Sequence, residues 1–177
     1  MLVELSGIWL VVLNGLAWLA IHLGIAYACC RIPLRQLDHR RWLFRTRKWE
    51  HGGSFYQAVF HIREWKSLLP SGGPALGADF SLARVESRDP CYLRRWVLES
   101  SRAEITHWLV MASVVVFVLW NSPVGVAANV VYAIVANVPC ILAQRYNRPR
   151  VLAILARHGS DDGADAAATT SGRGLRL

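Results

Sequence analysis

Charged residues are missing from two long stretches of this sequence. No Asp, Glu, Lys or Arg occurs in residues 5–30 or in residues 105–144. Hydrophobic residues make up 54% of the 177 positions, and the mean hydropathy is +0.27, which is high for a soluble protein. The composition therefore argues against a soluble domain and favours a chain that crosses a membrane.

Paired cysteine motifs, nucleotide-binding glycine motifs and nucleic-acid-binding motifs are also missing. The four Cys form no CxxC pair and no zinc-finger spacing, and no Gly-rich signature for S-adenosylmethionine or a nicotinamide occurs. We therefore expect no disulfide framework. We also expect no bound metal and no bound cofactor, although the missing glycine signature neither excludes nor supports S-adenosylmethionine or a nicotinamide. Acidic residues number 12 against 20 Lys and Arg, so the formal net charge is +8. Because the basic residues lie beside apolar segments, we expect anionic lipid headgroups rather than nucleic acid as their partners.

Three apolar segments are long enough to span a bilayer, which takes about 20 helical residues. They cover residues 8–30, 104–121 and 124–144, and a short turn sequence separates the last two. Residues 54–69 have apolar side chains at helical spacing together with three charged ones, which indicates an interfacial amphipathic helix. A re-entrant course for this helix stays open. The sequence thus predicts an all-α integral membrane protein with about three transmembrane helices and cytoplasmic interfacial helices.

Basic residues are concentrated in residues 31–48 and 145–150. By the positive-inside rule both regions face the cytoplasm, which predicts a multi-pass protein of the cell membrane with its N-terminus outside and its C-terminus in the cytoplasm. No Lys or Arg precedes the first apolar segment, so we expect this segment to be retained rather than cleaved as a signal. Residues 1–158 should form one membrane domain, and residues 159–177, which are small, polar and aperiodic, should be disordered.

Ionisable and amide side chains lie at the cytoplasmic ends of the second and third apolar segments. His107 and Asn137 are each fifteen residues from Ser122, so in an antiparallel hairpin they lie at the same depth, about 22 Å from the outer turn. Glu104 precedes His107 by three residues, which places both on one helical face. Polar groups at such a depth mark a functional site by default.

A His beside a carboxylate can deprotonate a hydroxyl, because the carboxylate orients the imidazole and makes it more basic. We therefore expect His107 to be the general base and Glu104 to orient it. Guanidinium, ammonium and amide groups nearby can hold a phosphate, a thioester oxygen or a sugar. The candidate substrate-binding residues are Arg63, Lys66, Arg102, Asn137, Gln144, Arg145, Asn147 and Arg148.

Each of these residues also has a structural explanation. Glu104 and Arg102 can be membrane-edge residues whose side chains reach water. His107 and Asn137 can form a purely structural hydrogen bond between helices, and the arginines of residues 145–150 can act only as determinants of topology. The sequence leaves these alternatives open.

Several separated motifs resemble a known family. They are Trp49-Glu50-x-Gly52-Gly53-x-Phe55-Tyr56, Arg63-x-Trp65-Lys66, Pro70-x-Gly72-Gly73, Arg102-Ala103-Glu104-x-x-His107-Trp108 and Asn137-x-Pro139-x-x-x-x-Gln144-Arg145-Tyr146-Asn147-Arg148. Through these motifs, and over roughly residues 42–150, the sequence resembles the glycosyl-4,4'-diaponeurosporenoate acyltransferases, small membrane proteins of staphyloxanthin-type carotenoid synthesis.

The resemblance implies an enzyme that esterifies a sugar hydroxyl of a glycosylated carotenoid acid, or of another membrane glycolipid, with a fatty acyl group. Acyl-CoA is the expected donor, as a co-substrate rather than a bound cofactor. Arg63 and Lys66 would then meet its phosphates. The roles expected of His107 and Glu104 come from their chemistry and depth, not from the resemblance.

Two other function classes stay open at the level of sequence. Small helical membrane methyltransferases and reductases also carry Arg, Asn, Glu and His at the ends of short spans, so another lipid-modifying enzyme is one alternative. A non-catalytic subunit of a membrane complex is the other. The sequence predicts no oligomeric state.

Overall fold

The computed structural model of the protein describes residues 7–69 and 80–172, with side chains as far as residue 158 in the last helix. The α-helices in these residues are α1 Gly7–Cys30, α2 Ser54–Phe60, α3 Ile62–Trp65, α4 Pro90–Ala112 and α5 Pro123–Gly172. Short 3₁₀ helices cover Leu34–Gln36, Lys48–Gly53, Lys66–Leu68 and Ser113–Leu119. No β-strand occurs within the described ranges, so the predicted all-α class is confirmed.

Three helical stretches are long and apolar enough to cross a membrane, namely Gly7–Cys30, Pro90–Leu119 and Pro123–His158. They confirm the three predicted spans, although the second and third helices extend beyond the apolar segments. Large apolar side chains on these helices are exposed, such as Ile8 at 74% and Val124 at 79%. Exposing so much apolar surface to water is energetically unfavourable, whereas lipid chains solvate it. The protein is therefore an integral membrane protein.

Helices α4 and α5 form an antiparallel pair that turns at residues 121–122. Helix α4 begins where the sequence indicates, because the Asp89 carboxylate accepts a hydrogen bond of 2.8 Å from the Tyr92 amide and Pro90 opens the first turn. We call the end of the pair that carries the arginines of residues 145–150 the basic end, and the opposite end the turn end.

Helix α1 packs against this pair near the turn end. Trp18 stacks on Phe117, with ring centroids 4.6 Å apart, and donates a hydrogen bond of 2.7 Å to Asn129. Nearer the turn, Asn14 donates to Asn121 at 3.0 Å. Hydrogen bonds between membrane helices contribute about 0.6 kcal/mol each on average, so they fix the orientation of α1 more than they stabilise it.

The segment between α1 and α4 folds over the basic end, and within it the predicted helix 54–69 is broken. Helix α2 ends and α3 begins at His61, whose backbone is left-handed with φ 49°. Two side chains satisfy backbone groups at the break: Gln57 Oε1 accepts from the Arg63 amide at 3.0 Å, and Trp65 Nε1 donates to the last carbonyl of α2 at 2.7 Å. Local side-chain hydrogen bonds thus compete with helical ones, which the apolar spacing could not reveal.

A turn before α2 fixes this segment against α5. Gly52 and Gly53 have positive φ angles of 64° and 89°, which glycine adopts readily. A Cβ atom on Gly53 would lie 2.8 Å from the Tyr146 carbonyl oxygen, so a larger residue would push the turn away from α5. The turn carries Glu50 into the interior, where only 1% of its surface is exposed.

Some sequence predictions fall outside this description. The motif at residues 70–73 lies outside the described residues, as do residues 173–177. Helix α5 continues to Gly172. The single domain of residues 1–158 and the disorder of residues 159–177 stay predictions.

Candidate active site

A cavity of about 1060 Å³ lies between the helices at the basic end. Its walls come from the end of α1, the 3₁₀ helix after α3, residues 80–85, α4 and α5. This volume is at the upper end of the range for ligand sites. Along α4 the wall extends from Trp96 to Val110, which is about 21 Å of helix. The cavity is therefore long enough for an extended molecule.

Half of the predicted site residues line this cavity, namely Lys66, Arg102, His107, Gln144 and Asn147. Asn137 lies behind His107, to which it is hydrogen bonded. Four predicted site residues do not line the described part of the wall, because their side chains are bound to other protein groups. They are Arg63, Glu104, Arg145 and Arg148.

His107 is held by an amide rather than by a carboxylate. Its Nδ1 atom lies 2.9 Å from Oδ1 of Asn137, as their equal depth predicts. The Asn137 amide nitrogen donates to the Ala133 carbonyl at 2.9 Å, which fixes the amide and makes Oδ1 the acceptor. His107 Nδ1 therefore carries the proton, and Nε2 keeps its lone pair. A general base in a cavity wall requires this tautomer.

A second imidazole, that of His22 on α1, lines the same cavity. Its Nδ1 atom lies 2.8 Å from the Trp18 carbonyl oxygen. Because a carbonyl oxygen only accepts, Nδ1 donates, and in the neutral ring Nε2 is then the hydrogen-bond acceptor. His22 also lines a smaller cavity of about 540 Å³ between α1 and α5, so it stands where the two cavities meet.

Glu104 does not take the position that we expected for it beside His107. Its carboxylate is fully buried and accepts from Arg145 Nε at 2.8 Å and from Arg148 Nη2 at 2.6 Å. A buried carboxylate needs charged partners, and a guanidinium group is a stronger one than a neutral imidazole. Asn137, and not Glu104, is the side chain hydrogen bonded to the His107 ring.

The two arginines are engaged by protein groups for the same reason. Arg148 is 2% exposed and also donates to the carbonyl oxygens of Phe44 and Ser100, each at 3.1 Å. Arg145 also pairs with Glu50 at 2.9 Å. Two carboxylates and two guanidinium groups make this buried network neutral. Its members hold α4, α5 and the turn before α2 together, and they have little capacity left for substrate.

Lys66 and Asn147 meet on the cavity wall, where Lys66 Nζ donates to Asn147 Oδ1 at 3.2 Å. Arg63, which we expected to act with Lys66, instead donates to the Tyr146 hydroxyl at 2.8 Å. Lys66 is thus placed to meet a ligand in the cavity, whereas Arg63 braces α3 against α5.

The described part of the wall is cationic. It carries Lys66, Arg84, Arg102 and Arg150 against one carboxylate, that of Glu99. Arginine and lysine bind phosphate and carboxylate groups through charge-assisted hydrogen bonds. No group of His, Cys, Asp and Glu side chains that could hold a metal ion was found within the described ranges. The wall therefore suits an anionic organic ligand.

Among residues 7–69 and 80–158, the buried side-chain polar atoms that have no hydrogen-bond partner cluster on this wall. They are Trp96 Nε1, Arg102 Nε and Gln144 Oε1, and all three residues line the cavity. Arg102 is otherwise anchored, because its terminal nitrogens bind Glu99 at 2.7 Å and the Ile32 carbonyl at 3.1 Å. Most buried polar groups in proteins are paired, so each exception calls for an explanation.

Sequence reasoning missed several residues of this region, among them Arg84, Arg150, Trp96 and Glu50. Trp96 lies in an amphipathic stretch beside two arginines, so nothing distinguishes it from a packing residue. Glu50 did carry a signal, because it is the one acidic residue between Asp38 and Glu64. A single acid within a basic segment indicates an internal ion pair, which is where the structure has it.

These features define a class: a small all-α membrane protein whose helices enclose a cationic cavity with imidazole side chains in its wall. The family model for glycosyl-4,4'-diaponeurosporenoate acyltransferase matches residues 40–157. Two relatives of that name, from Staphylococcus aureus strains N315 and MRSA252, are 32% identical over 145 and 147 residues, which covers 80% of this chain and 87% of each relative. No solved structure matches the chain significantly. The chain belongs to the glycosyl-4,4'-diaponeurosporenoate acyltransferase family.

Family membership confirms the resemblance carried by the sequence motifs and makes the protein an acyltransferase. It therefore favours acyl transfer over a methyltransferase-like or reductase-like enzyme and over a non-catalytic subunit. The matched range contains all cavity residues contributed by α4 and α5, so the cavity belongs to the part of the chain that the family shares.

Proposed function

We propose that the protein transfers a fatty acyl group from acyl-CoA to a sugar hydroxyl of a membrane glycolipid or a glycosylated carotenoid. The observation that carries this proposal is the His107–Asn137 pair at the wall of a cationic cavity. The relatives are named for a glycosyl-4,4'-diaponeurosporenoate, which supports a sugar-bearing acceptor.

In the proposed reaction His107 Nε2 removes the proton from the acceptor hydroxyl, and the hydroxyl oxygen attacks the carbonyl carbon of the thioester. An ester C–O bond forms and the thioester C–S bond breaks. The imidazolium then gives its proton to the departing thiolate, so CoA leaves as a free thiol. Asn137 keeps Nδ1 protonated, so that Nε2 is the basic atom before and after each turnover.

The donor side of the proposal rests on the cations of the wall. CoA carries phosphate groups, and Lys66, Arg84 and Arg150 all line the cavity. Lys66 keeps the role that the sequence predicts for it. Arg150 takes the place of Arg63, whose guanidinium is bound to a tyrosine hydroxyl.

The acceptor side rests on the smaller cavity between α1 and α5. Its wall includes Trp18, Leu19 and Tyr132, and Leu19 is 56% exposed on a membrane helix. An acceptor whose apolar part lies here in contact with lipid would present its sugar at His22, next to the larger cavity. The free Nε2 of His22 can accept a hydrogen bond from a second sugar hydroxyl and so orient the first.

We also propose that the basic end faces the cytoplasm and that the N-terminus lies outside. The basic residues 31–48 and 145–150 support this orientation through the positive-inside rule, and anionic headgroups are their proposed partners. Acyl-CoA arriving from the cytoplasm would then enter the cavity from its basic side.

Lipid mass spectrometry of a deletion strain tests the function. We expect one acylated lipid to disappear and its unacylated precursor to accumulate. Wild-type protein should restore the acylated lipid, whereas His107→Ala protein at the same membrane level should not, because a general base contributes about 10²- to 10⁴-fold in rate. An unchanged lipid profile, or full transfer by His107→Ala protein, would contradict the proposal.

A further inference from the structure

We propose that the cavity wall around Arg102 binds an amide-bearing arm of the acyl donor, that is, the pantetheine portion of a thioester donor. This inference rests on the proposed function, because it specifies how the donor of that reaction is held. Its basis is a set of polar atoms on the wall that find no hydrogen-bond partner in the part of the chain that the structure describes, namely Trp96 Nε1, Arg102 Nε and Gln144 Oε1.

The chemistry of these atoms selects the ligand group. Trp96 Nε1 and Arg102 Nε can only donate a hydrogen bond, and Gln144 Oε1 can only accept one. A phosphate or carboxylate would accept from both N–H groups, but it would require the Gln144 amide to turn its NH₂ group to the cavity in place of the oxygen. A hydrocarbon chain would satisfy none of them. A secondary amide supplies an accepting carbonyl and a donating N–H together, so it matches the set.

The spacing on α4 favours two amides over one. Trp96 and Arg102 are six residues apart, which is about 9 Å along the helix axis. One amide carbonyl does not reach across that distance to both donors. Pantetheine carries two amides in succession with a short alkyl spacer between them, so each N–H group can meet its own carbonyl.

The order of groups along the cavity fits the order of groups along the donor. Arg102 is five residues from His107 on α4, about 7.5 Å along the axis, so a thioester at the end of the arm reaches the base. On α5, Arg150 lies six residues from Gln144 towards the basic end, about 9 Å away along the axis. The thioester would thus lie at His107, the amide arm at the unsatisfied polar atoms and the phosphates at Arg150.

An unsatisfied buried group weakens the folded protein that carries it, because it has lost water and gained no partner. Removal of the Gln144 oxygen by a near-isosteric change should therefore leave the unfolding midpoint unchanged or higher while it weakens donor binding. A residue with a structural role behaves in the opposite way, since its loss lowers the midpoint. Stability and donor affinity together separate the two cases.

The test compares Gln144→Met and Trp96→Phe with Gln36→Met, the same kind of change at an exposed position outside the cavity. Steady-state kinetics are measured with acyl-CoA, with acyl-pantetheine, which lacks the nucleotide and its phosphates, and with an acyl thioester of a simple alkanethiol, which lacks amides. We expect each cavity variant to raise KM for the first two donors by about fivefold to tenfold, the effect of one lost hydrogen bond. KM for the alkyl thioester and for the acceptor should match the wild-type values, and Gln36→Met should change none of them.

The outcomes separate this inference from the proposed function. Cavity variants that leave every donor KM unchanged, or that raise KM equally for the alkyl thioester, would overturn the amide assignment while wild-type transfer from acyl-CoA leaves the function intact. A wild-type protein that takes its acyl group from a phospholipid and from no thioester would overturn both. Free pantetheine supplies a second readout, since it should raise the unfolding midpoint of the wild-type protein and raise that of Gln144→Met less.

Discussion

The carboxylate of Glu104 lies 2.6 Å from Nη2 of Arg148, and both side chains are almost completely buried. With Arg145 and Glu50 they form a network that joins α4, α5 and the turn before α2. Both carboxylate oxygens of Glu104 accept hydrogen bonds from guanidinium groups, and the His107 ring is hydrogen bonded to Asn137 rather than to Glu104. The position of Glu104 therefore indicates a structural function.

Replacing Glu104 with Gln should destabilise the protein by about 3–5 kcal/mol, because it leaves buried guanidinium groups without a carboxylate. The measurement is the unfolding midpoint in detergent. Glu64→Gln serves as the control, because Glu64 has a side-chain exposure of 71% and should change stability by no more than about 0.5 kcal/mol.

The same variant separates the two roles considered for Glu104. If the residue is structural, the folded fraction of Glu104→Gln protein should keep the wild-type kcat and pH profile. A variant that stays fully folded but loses kcat would return Glu104 to the catalytic pair.

The difference between Asn137 and Glu104 shows what the sequence could decide about the site. Residue counting along antiparallel helices gives depth, and depth correctly brings Asn137 to His107. A spacing of three residues does not give the direction of each side chain, which depends on partners elsewhere. Arg145 is one of the two guanidinium groups that bind Glu104 in place of His107. Arg145 is itself positioned by Glu50, which lies on a turn remote in sequence.

The fold, like the site, has features that the sequence could predict and features that it could not. Charge-free stretches located the three spans, because the bilayer imposes length and polarity on any helix that crosses it. The break at His61 was missed, because it depends on the particular hydrogen bonds of Gln57 and Trp65. Trp96 was missed as a cavity residue, because its environment comes from segments that pack around α4 rather than from its own helix.

Asn137→Ala should lower kcat by about 10- to 100-fold, by analogy with the loss of a partner that orients a metal-bound His. His107→Ala should lower it further, and the double variant should be no slower than His107→Ala, because residues that act as a unit are not additive. A double-mutant cycle with acyl-CoA measures this. Asn121→Ala is the control, since Asn121 makes interhelical hydrogen bonds at the turn end, away from the larger cavity, and kcat is compared at saturating acceptor. Additive losses for the two substitutions would contradict the pairing.

Gly53→Ala should destabilise the protein more than Gly52→Ala. Both residues have positive φ, so each substitution carries backbone strain of about 1–2 kcal/mol. Only at Gly53 does a Cβ atom meet other groups, at 2.8 Å from the Tyr146 carbonyl oxygen and 2.9 Å from Arg150 Nη1, which should add about 1–3 kcal/mol of overpacking. Equal unfolding midpoints for the two variants would show that the turn does not press on α5.

Alkaline pH should weaken the fold through Tyr56. Burial, followed by the Glu50 carboxylate, raises the pKa of Tyr56 from 10.0 to about 12, so the folded protein keeps this proton to a higher pH than the unfolded chain does. As the pH rises past 10.0, the unfolded state loses the proton first, and stability falls progressively until the pH reaches about 12. Tyr56→Phe has no such proton, so its unfolding midpoint should decline less steeply across this window than that of the wild type. The difference between the two curves isolates Tyr56 from the other tyrosines, and parallel curves would show that its phenol titrates alike in both states.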